Sequence, residues 1–356
     1  MVADLAIEAF AQAHHAPTLE DKVRFLSDPA SYRPRPHGVL THETHMSWVF
    51  LAGERAYKLK KPVHFPYLDF STLARREAAC RAELRLNRRL ARDVYLGVVP
   101  LTAAPALAID GTGQTVDWLI VMRRLDPQSA LEQMIKDDTA TPAHIDALAI
   151  RLIRFYRRTA VARFSATQFL HRWQRSLADN RRVLLDPSFS VPRGAVRFVD
   201  RAQRRFLREK SAILLGRWRK RRILDGHGDL RPEHIWFGSP ARIIDCLEFD
   251  PQLRAVDPFD EIAFLDVECT RLGAPWIGKH LHRRLTSGTG DAVPDALYTF
   301  YRCYRATLRA RLSIAHLLTP NPRTPEKWPR LMKVYLEQAL RDAVTLERLL
   351  NSPGDR

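Results

Sequence analysis

The stretch ILDGHGDLRPEHIWF, residues 223–237, followed closely by ARIIDCLEFD, residues 241–250, decides how this chain is read. An apolar pair runs into His227-Gly228-Asp229, a proline turn follows, and a second apolar run at Ile243-Ile244 ends on Asp245, sixteen residues after Asp229. That distance suits a hairpin that brings two carboxylates to the ends of two short buried strands. A single aspartate after a strand is ordinarily a turn residue. Two in this register, with a third, Asp260, fifteen residues further on in VDPFDEIAFL, form a constellation. Asp260 stands at a helix start, where a carboxylate accepts backbone N–H groups, and is expected to brace the loop that carries Asp229.

The chain has 356 residues and 46% hydrophobic content, enough to bury a substantial core in two lobes. The net charge of +17 comes mostly from arginine and predicts attraction to anions such as nucleotides or phosphorylated compounds, the alternative being arginine spread over solvated faces. Cys80, Cys246, Cys269 and Cys303 lie far apart with no CxxC pair, which excludes a zinc pattern and predicts buried, reduced thiols. The first residues, MVADLAIEAFAQAHHAP, read as an amphipathic helix and not as a signal peptide. The longest uncharged run, YLGVVPLTAAPALAI (95–109), is too short to span a bilayer and is broken by prolines. A cytoplasmic protein with no membrane association is expected.

Three segments follow. Residues 1–37 form an N-terminal helical extension. Residues 38–125 alternate in strand fashion (MSWVFLA, RAYKLKK, DWLIVMRRL) around one helix, RREAACRAELRLNRRL, 75–90. Residues 126–352 show helical periodicity almost throughout, with the opening stretch as their one strand-like island: a loop at 227–234 and a carboxylate-bearing segment at 243–249. The expected fold class is α+β: a small antiparallel-sheet lobe with one main helix, then a larger helical lobe.

His-Gly-Asp229 with a polar residue five positions on has the spacing of a kinase catalytic loop, in which the aspartate orients an attacking hydroxyl and takes its proton. HGDL, IIDCLEF and DPFDEIAF together resemble the aminoglycoside phosphotransferase and choline kinase group, which shares the protein-kinase fold. The resemblance runs from about Glu43 to the arginine-rich helix at 298–312. It is similar to a bacterial branch often followed by a second ATPase domain, whose GxxxxGK[ST] loop is missing here; SGTGD (287–291) lacks the lysine.

The resemblance implies an ATP-dependent kinase that uses Mg²⁺ and phosphorylates a small molecule. Asp229 is its catalytic base and Asp245 its metal ligand. Lys58 contacts the ATP phosphates, with Lys60 on the same strand face as fallback. Glu83 holds that lysine, with Glu77 as second choice, and the main chain of Val121, Met122 and Arg123 contacts adenine. Two departures stand out. No glycine-rich loop precedes Lys58, and THETHMS (41–47) offers Thr44 and Ser47 as a phosphate cradle instead. His234 stands where the resemblance calls for a metal-binding asparagine, although imidazole suits zinc better than Mg²⁺. One metal on Asp245 alone, Glu233 or Glu248 as a substitute oxygen ligand, and lost catalysis in a nucleotide-binding regulatory pseudokinase all remain open.

His227 is expected to pack behind the loop. RWRKRR (217–222) reads as a solvated helix end, and Arg302, Arg305 and Arg309 share a helix face that either lines an acceptor site or packs against acidic side chains. No specific nucleic acid is expected. With Asp260 only fifteen positions after Asp245, a segment for docking a peptide substrate is missing, so a small-molecule acceptor is expected.

Overall fold

The computed structural model describes residues 16–352 except 66–67, 104–105, 320–321 and 323; the expected helix at the extreme N-terminus lies outside the described residues. The chain divides into two compact units, one of the residues up to Asp126 with Ile244–Asp250, the other of Pro127–Ile243 with the residues from Pro251 on.

In the N-terminal unit, helix α1 (Leu19–Ser27) starts at a capping box in which Asp21 N–H donates to Thr18 Oγ1 at 3.1 Å and Thr18 N–H to Asp21 Oδ2 at 3.1 Å. The antiparallel sheet contains β1 (Val39–Glu43), β2 (Ser47–Ala52), β3 (Arg55–Lys60), β4 (Tyr95–Ala103), β5 (Leu107–Ile109) and β6 (Gln114–Arg123), in the order β1-β2-β3-β6-β4-β5. Alternation along the strands gives it two apolar faces. Tyr57, Leu59, Phe50 and Val121 pack with Leu26 of α1 and with Tyr32. Ala56, Ile120 and Met122 pack with Cys80 and Ala91 of helix α2 (Leu73–Ala91). Ile244 adds to this second cluster, which ties the 244–250 segment to the N-terminal unit instead of to the helical lobe the sequence assigned it to.

The C-terminal unit is helical: α3 (Leu131–Lys136), α4 (Pro142–Arg158), α5 (Ala166–Leu184), α6 (Arg193–Glu209), α7 (Ser211–Arg219), α8 (Pro258–Arg271), α9 (Pro275–Thr289), α10 (Asp295–Ala315) and α11 (Lys327–Asn351). Between α7 and α8 lie two small ladders. In one, β7 (Leu224–Asp225) pairs with β10 (Ala255–Val256); in the other, β8 (Ile235–Trp236) pairs with β9 (Arg242–Ile243). The loop 226–234 is thus held at both ends by strands. Helix α8 is buried along most of its length, and its N-cap, Asp257, accepts from Phe259 N–H at 2.9 Å. No described helix is long and apolar enough to cross a membrane, and all four cysteines are buried and none is in a disulfide.

Candidate functional site

Strand alternation sends Lys58 and Lys60 to the α2 face of the sheet, and there both meet Glu83. Lys58 Nζ lies 2.8 Å from Glu83 Oε1 and 2.9 Å from Asp245 Oδ1. Lys60 Nζ lies 2.6 Å from Glu83 Oε2 and 2.6 Å from Glu248 Oε1. Glu83 is completely buried, so each of its oxygens needs a cation. Burial works against the charge on Lys58, but Asp245 and Glu83 outweigh it and hold its pKa well above the ordinary range. For Glu83 burial pushes upward, and the two ammonium groups win, leaving its pKa lowered. Glu77 pairs with Arg81 on the surface instead.

The 244–250 segment is pinned to this unit by its backbone. Cys246 N–H donates to Asn87 Oδ1 at 2.9 Å, Asn87 Nδ2 donates to Glu83 O at 2.9 Å, and Asp245 N–H reaches Tyr95 Oη at 3.3 Å. Asp245 adopts φ 63°, in the left-handed region that few non-glycine residues occupy.

Two other expectations in this unit change. The main chain of Val121 to Arg123 lies within β6, flanked by β3 and β4, and Arg123 N–H donates to Val94 O at 2.8 Å. Val121, Met122 and the N–H of Arg123 are thus used by the sheet. Thr44 and Ser47 close on each other: Ser47 N–H donates to Thr44 Oγ1 at 3.0 Å, and Thr44 Oγ1–H to Ser47 O at 2.9 Å. Ser47 is 2% exposed, so the turn is built inward and Ser47 does not present its hydroxyl as a cradle.

In the C-terminal unit the brace of the loop is Glu261, one residue past the expected Asp260. Glu261 Oε1 accepts from His227 N–H at 2.8 Å and Gly228 N–H at 2.6 Å, and Oε2 accepts from Tyr156 Oη at 2.8 Å. Burial nevertheless raises the Glu261 pKa. A Cβ on Gly226 would come within 2.5 Å of Val256 Cγ2 and 3.0 Å of Glu261 Oε1, which explains the first glycine of GHGD; Gly228, at φ 88°, explains the second. Asp260 is bidentate to Arg305, both contacts 2.7 Å. His227 is fully buried behind the loop, its Nδ1 accepting from Asp229 N–H at 3.3 Å.

Asp229 faces Arg231, whose Nε and Nη2 lie 3.0 and 2.9 Å from Oδ2. Burial raises the Asp229 pKa, and the neighbouring positive charge, Arg231 foremost, outweighs it, so the carboxylate is held below its ordinary 3.8. His234 is buried, with Nδ1 2.9 Å from Asp229 O and Nε2 3.2 Å from Arg231 Nη2. A proton on Nδ1 bonds the carbonyl, and the Nε2 lone pair is then directed at a guanidinium. The metal role expected of His234 gives way to that of a loop brace.

Mg²⁺ takes hard oxygen ligands and retains several waters, so one accessible carboxylate is sufficient protein anchorage when phosphates supply the rest. The Asp245 side chain, 46% exposed, fits that requirement. In the C-terminal unit, Glu233 Oε2 is a buried oxygen with no hydrogen-bond partner, while its Oε1 lies 2.6 Å from Arg231. No three His, Cys, Asp or Glu side chains among the described residues are placed to hold a metal by themselves.

The arginines of α10 resolve to the duller alternative: Arg302 pairs with Asp266 and Asp342, Arg305 with Asp260, and Arg309 with Glu268, all within the helical packing. Arg217 of RWRKRR is likewise not solvated but buried, bonded to Asp257 and Asp291.

No protein-family model matches the chain. It is 32% identical over 319 residues to uncharacterized proteins of Mycobacterium bovis and Mycobacterium tuberculosis. That match takes 88% of this chain and 62% of theirs, so the chain spans about 62% of the length of the curated relatives it matches. Among solved structures it is similar to choline kinase from Cryptosporidium parvum, with TM-score 0.53 and 10% identity over 92% of this chain and 95% of that one. It is also similar to a choline/ethanolamine kinase family protein from Mesorhizobium loti, with TM-score 0.50 and 15% identity over 91% and 99%. A thermostable mutant of an aminoglycoside phosphotransferase gives TM-score 0.50 and 10% identity over 89% and 98%. The chain therefore has the protein-kinase-like fold of the small-molecule phosphotransferases.

Proposed function

We propose that this protein transfers the γ-phosphate of ATP to a hydroxyl of a small molecule. The acceptor oxygen bonds to phosphorus as the β,γ-bridging P–O bond breaks, ADP departs, and the hydroxyl proton passes to Asp229. The observation that carries this reading is the placement of Asp229: a carboxylate on a short loop between two strands whose backbone N–H groups are fixed by the buried Glu261. Such a base contributes about 10²–10⁴-fold. Lys58, held by Glu83, steadies the triphosphate, and Asp245 is the residue that would hold Mg²⁺, which neutralises charge on the phosphates when bound. Because the main chain of Val121 to Arg123 is used by the sheet, the adenine contact falls to the chain that leaves β6, at Leu125 and Asp126.

ATP-dependent phosphorylation, followed as ADP release with a hydroxyl-compound panel, tests the reading. Asp229→Asn is expected to lower kcat about 10³-fold with little change in ATP affinity. Full-rate turnover in Asp229→Asn and in Asp245→Ala would remove the proposal. A nucleotide-binding regulatory module that transfers nothing is the second reading, favoured by His234 being locked inside the loop; stabilisation by ATP with Mg²⁺ but no turnover across the panel would select it.

A further inference from the structure

Within the C-terminal unit a cavity of about 420 Å³ opens along one stripe of α5, where Gln168, Arg172, Arg175 and Asp179 recur at helical spacing. Its lining also includes Arg163, Phe164 and Phe169. Three arginines thus face one carboxylate, and that carboxylate, Asp179, lies 3.3 Å from Arg182 of its own helix. Arg172 is fastened by neutral groups: its Nη1 donates to Gln252 O at 2.9 Å and its Nη2 to Ala255 O at 2.5 Å. The rings of Phe164 and Phe169 stand 5.8 and 5.9 Å from its guanidinium. Neither Arg163 nor Arg175 has an ion pair or hydrogen bond to any described residue.

This differs from Arg217 and from Arg302, Arg305 and Arg309 of α10, which are matched by aspartates and glutamates. Burial works against the charge of Arg172 and draws its pKa below the ordinary value, so an arriving anion gains more there than at a solvated arginine. Gln252 precedes β10, which pairs with β7, and Gly226 N–H, just ahead of His227, donates to Arg254 O at 2.7 Å.

We propose that this cavity takes a small hydroxyl compound bearing a phosphate or carboxylate group, with the anion on Arg163, Arg172 and Arg175 and the body of the molecule against Phe164 and Phe169. The volume suits a single metabolite-sized ligand. The same arginines repel acceptors that carry an amine, so specificity comes from both attraction and exclusion. As an assignment of the acceptor class, this rests on the kinase reading above; as an anion site, it stands without it.

Calorimetric titration with inorganic phosphate against chloride at matched ionic strength tests the site. Saturable phosphate binding is expected in the wild type and in Asp229→Asn, and binding at least about tenfold weaker in the exposed pair Arg163→Gln/Arg175→Gln. Arg172→Gln, checked by thermal melting for a retained fold, is expected to weaken it as well. Phosphate binding unchanged in Arg163→Gln/Arg175→Gln, or no stronger than chloride in the wild type, overturns the site. ADP-release assays with hydroxyl compounds in matched neutral, amine-bearing and phosphorylated forms test the acceptor class. Transfer to phosphorylated members that falls with Arg163→Gln/Arg175→Gln supports it, and transfer confined to neutral or amine-bearing members overturns it. Phosphate binding without any transfer upholds the anion site and counts against the kinase reading instead.

Discussion

The two aspartates that drew attention to this chain are held by opposite means. Asp245 belongs to a cluster of side-chain ion pairs in which Lys58, Lys60, Glu83 and Glu248 share charge, and its own carboxylate is half exposed. Asp229 sits on a loop whose backbone is tied to the buried carboxylate of Glu261, with His227 and His234 filling the space behind it. Asp245, half exposed, can exchange partners at small cost, whereas the buried Lys60–Glu83 pair and the backbone amides bonded to Glu261 cannot. The first arrangement suits groups that must rearrange around a ligand, and the second suits a group that must already be in place.

Removing the shared anion is the severest way to break this contrast. Glu83→Gln leaves two buried lysines with one fewer partner each, and a loss of about 3 kcal/mol is expected in denaturant unfolding. A loss below about 1 kcal/mol would show the cluster to be as loosely coupled as a surface network. Glu261→Ala attacks the other side. Two backbone N–H groups and the Tyr156 hydroxyl lose their acceptor, which is expected to cost about 2 kcal/mol and to lower kcat more than it raises the KM for ATP. Glu261→Gln keeps an acceptor oxygen and should recover part of both.

A pH scan sharpens the comparison further. The Asp229 pKa is depressed on folding, so its contribution to stability is present above the ordinary 3.8 and is lost as pH falls through the folded value. The melting temperature of the wild type is therefore expected to fall more steeply below about pH 4 than that of Asp229→Asn. Parallel curves would mean that Arg231 does not stabilise the charge. The smallest effect is expected from His234→Asn, which keeps a donor toward Asp229 O and loses the contact with Arg231: about a threefold change in kcat, with the Mg²⁺ dependence unmoved. A large shift in that dependence would return residue 234 to the metal.

Much of this was legible before any coordinates, because it depends on local spacing. HGDL between two apolar pairs fixes a loop between short strands, and the parity of Lys58 and Lys60 puts both on one sheet face whatever the rest of the chain does. The errors came where a helix had to choose its rotation. Asp260 and Glu261 are adjacent and both acidic, yet about 100° apart around α8, so packing alone made one the partner of Arg305 and the other the brace of the loop. The adenine contact expected of Val121, Met122 and Arg123 changed for a related reason: a strand motif does not say how far pairing extends, and β6 remains paired through Arg123.

Arginine shows the same division most clearly. The sequence by itself determined the sign and abundance of the charge, the loop and carboxylate motifs, and the alternation that builds the sheet, since these depend on residue order over a few positions. Only the tertiary structure decided which arginines are cancelled, because a counter-charge arrives from residues distant in sequence. Arg217, Arg302, Arg305 and Arg309 found carboxylates, while Arg163, Arg172 and Arg175 were left facing a cavity.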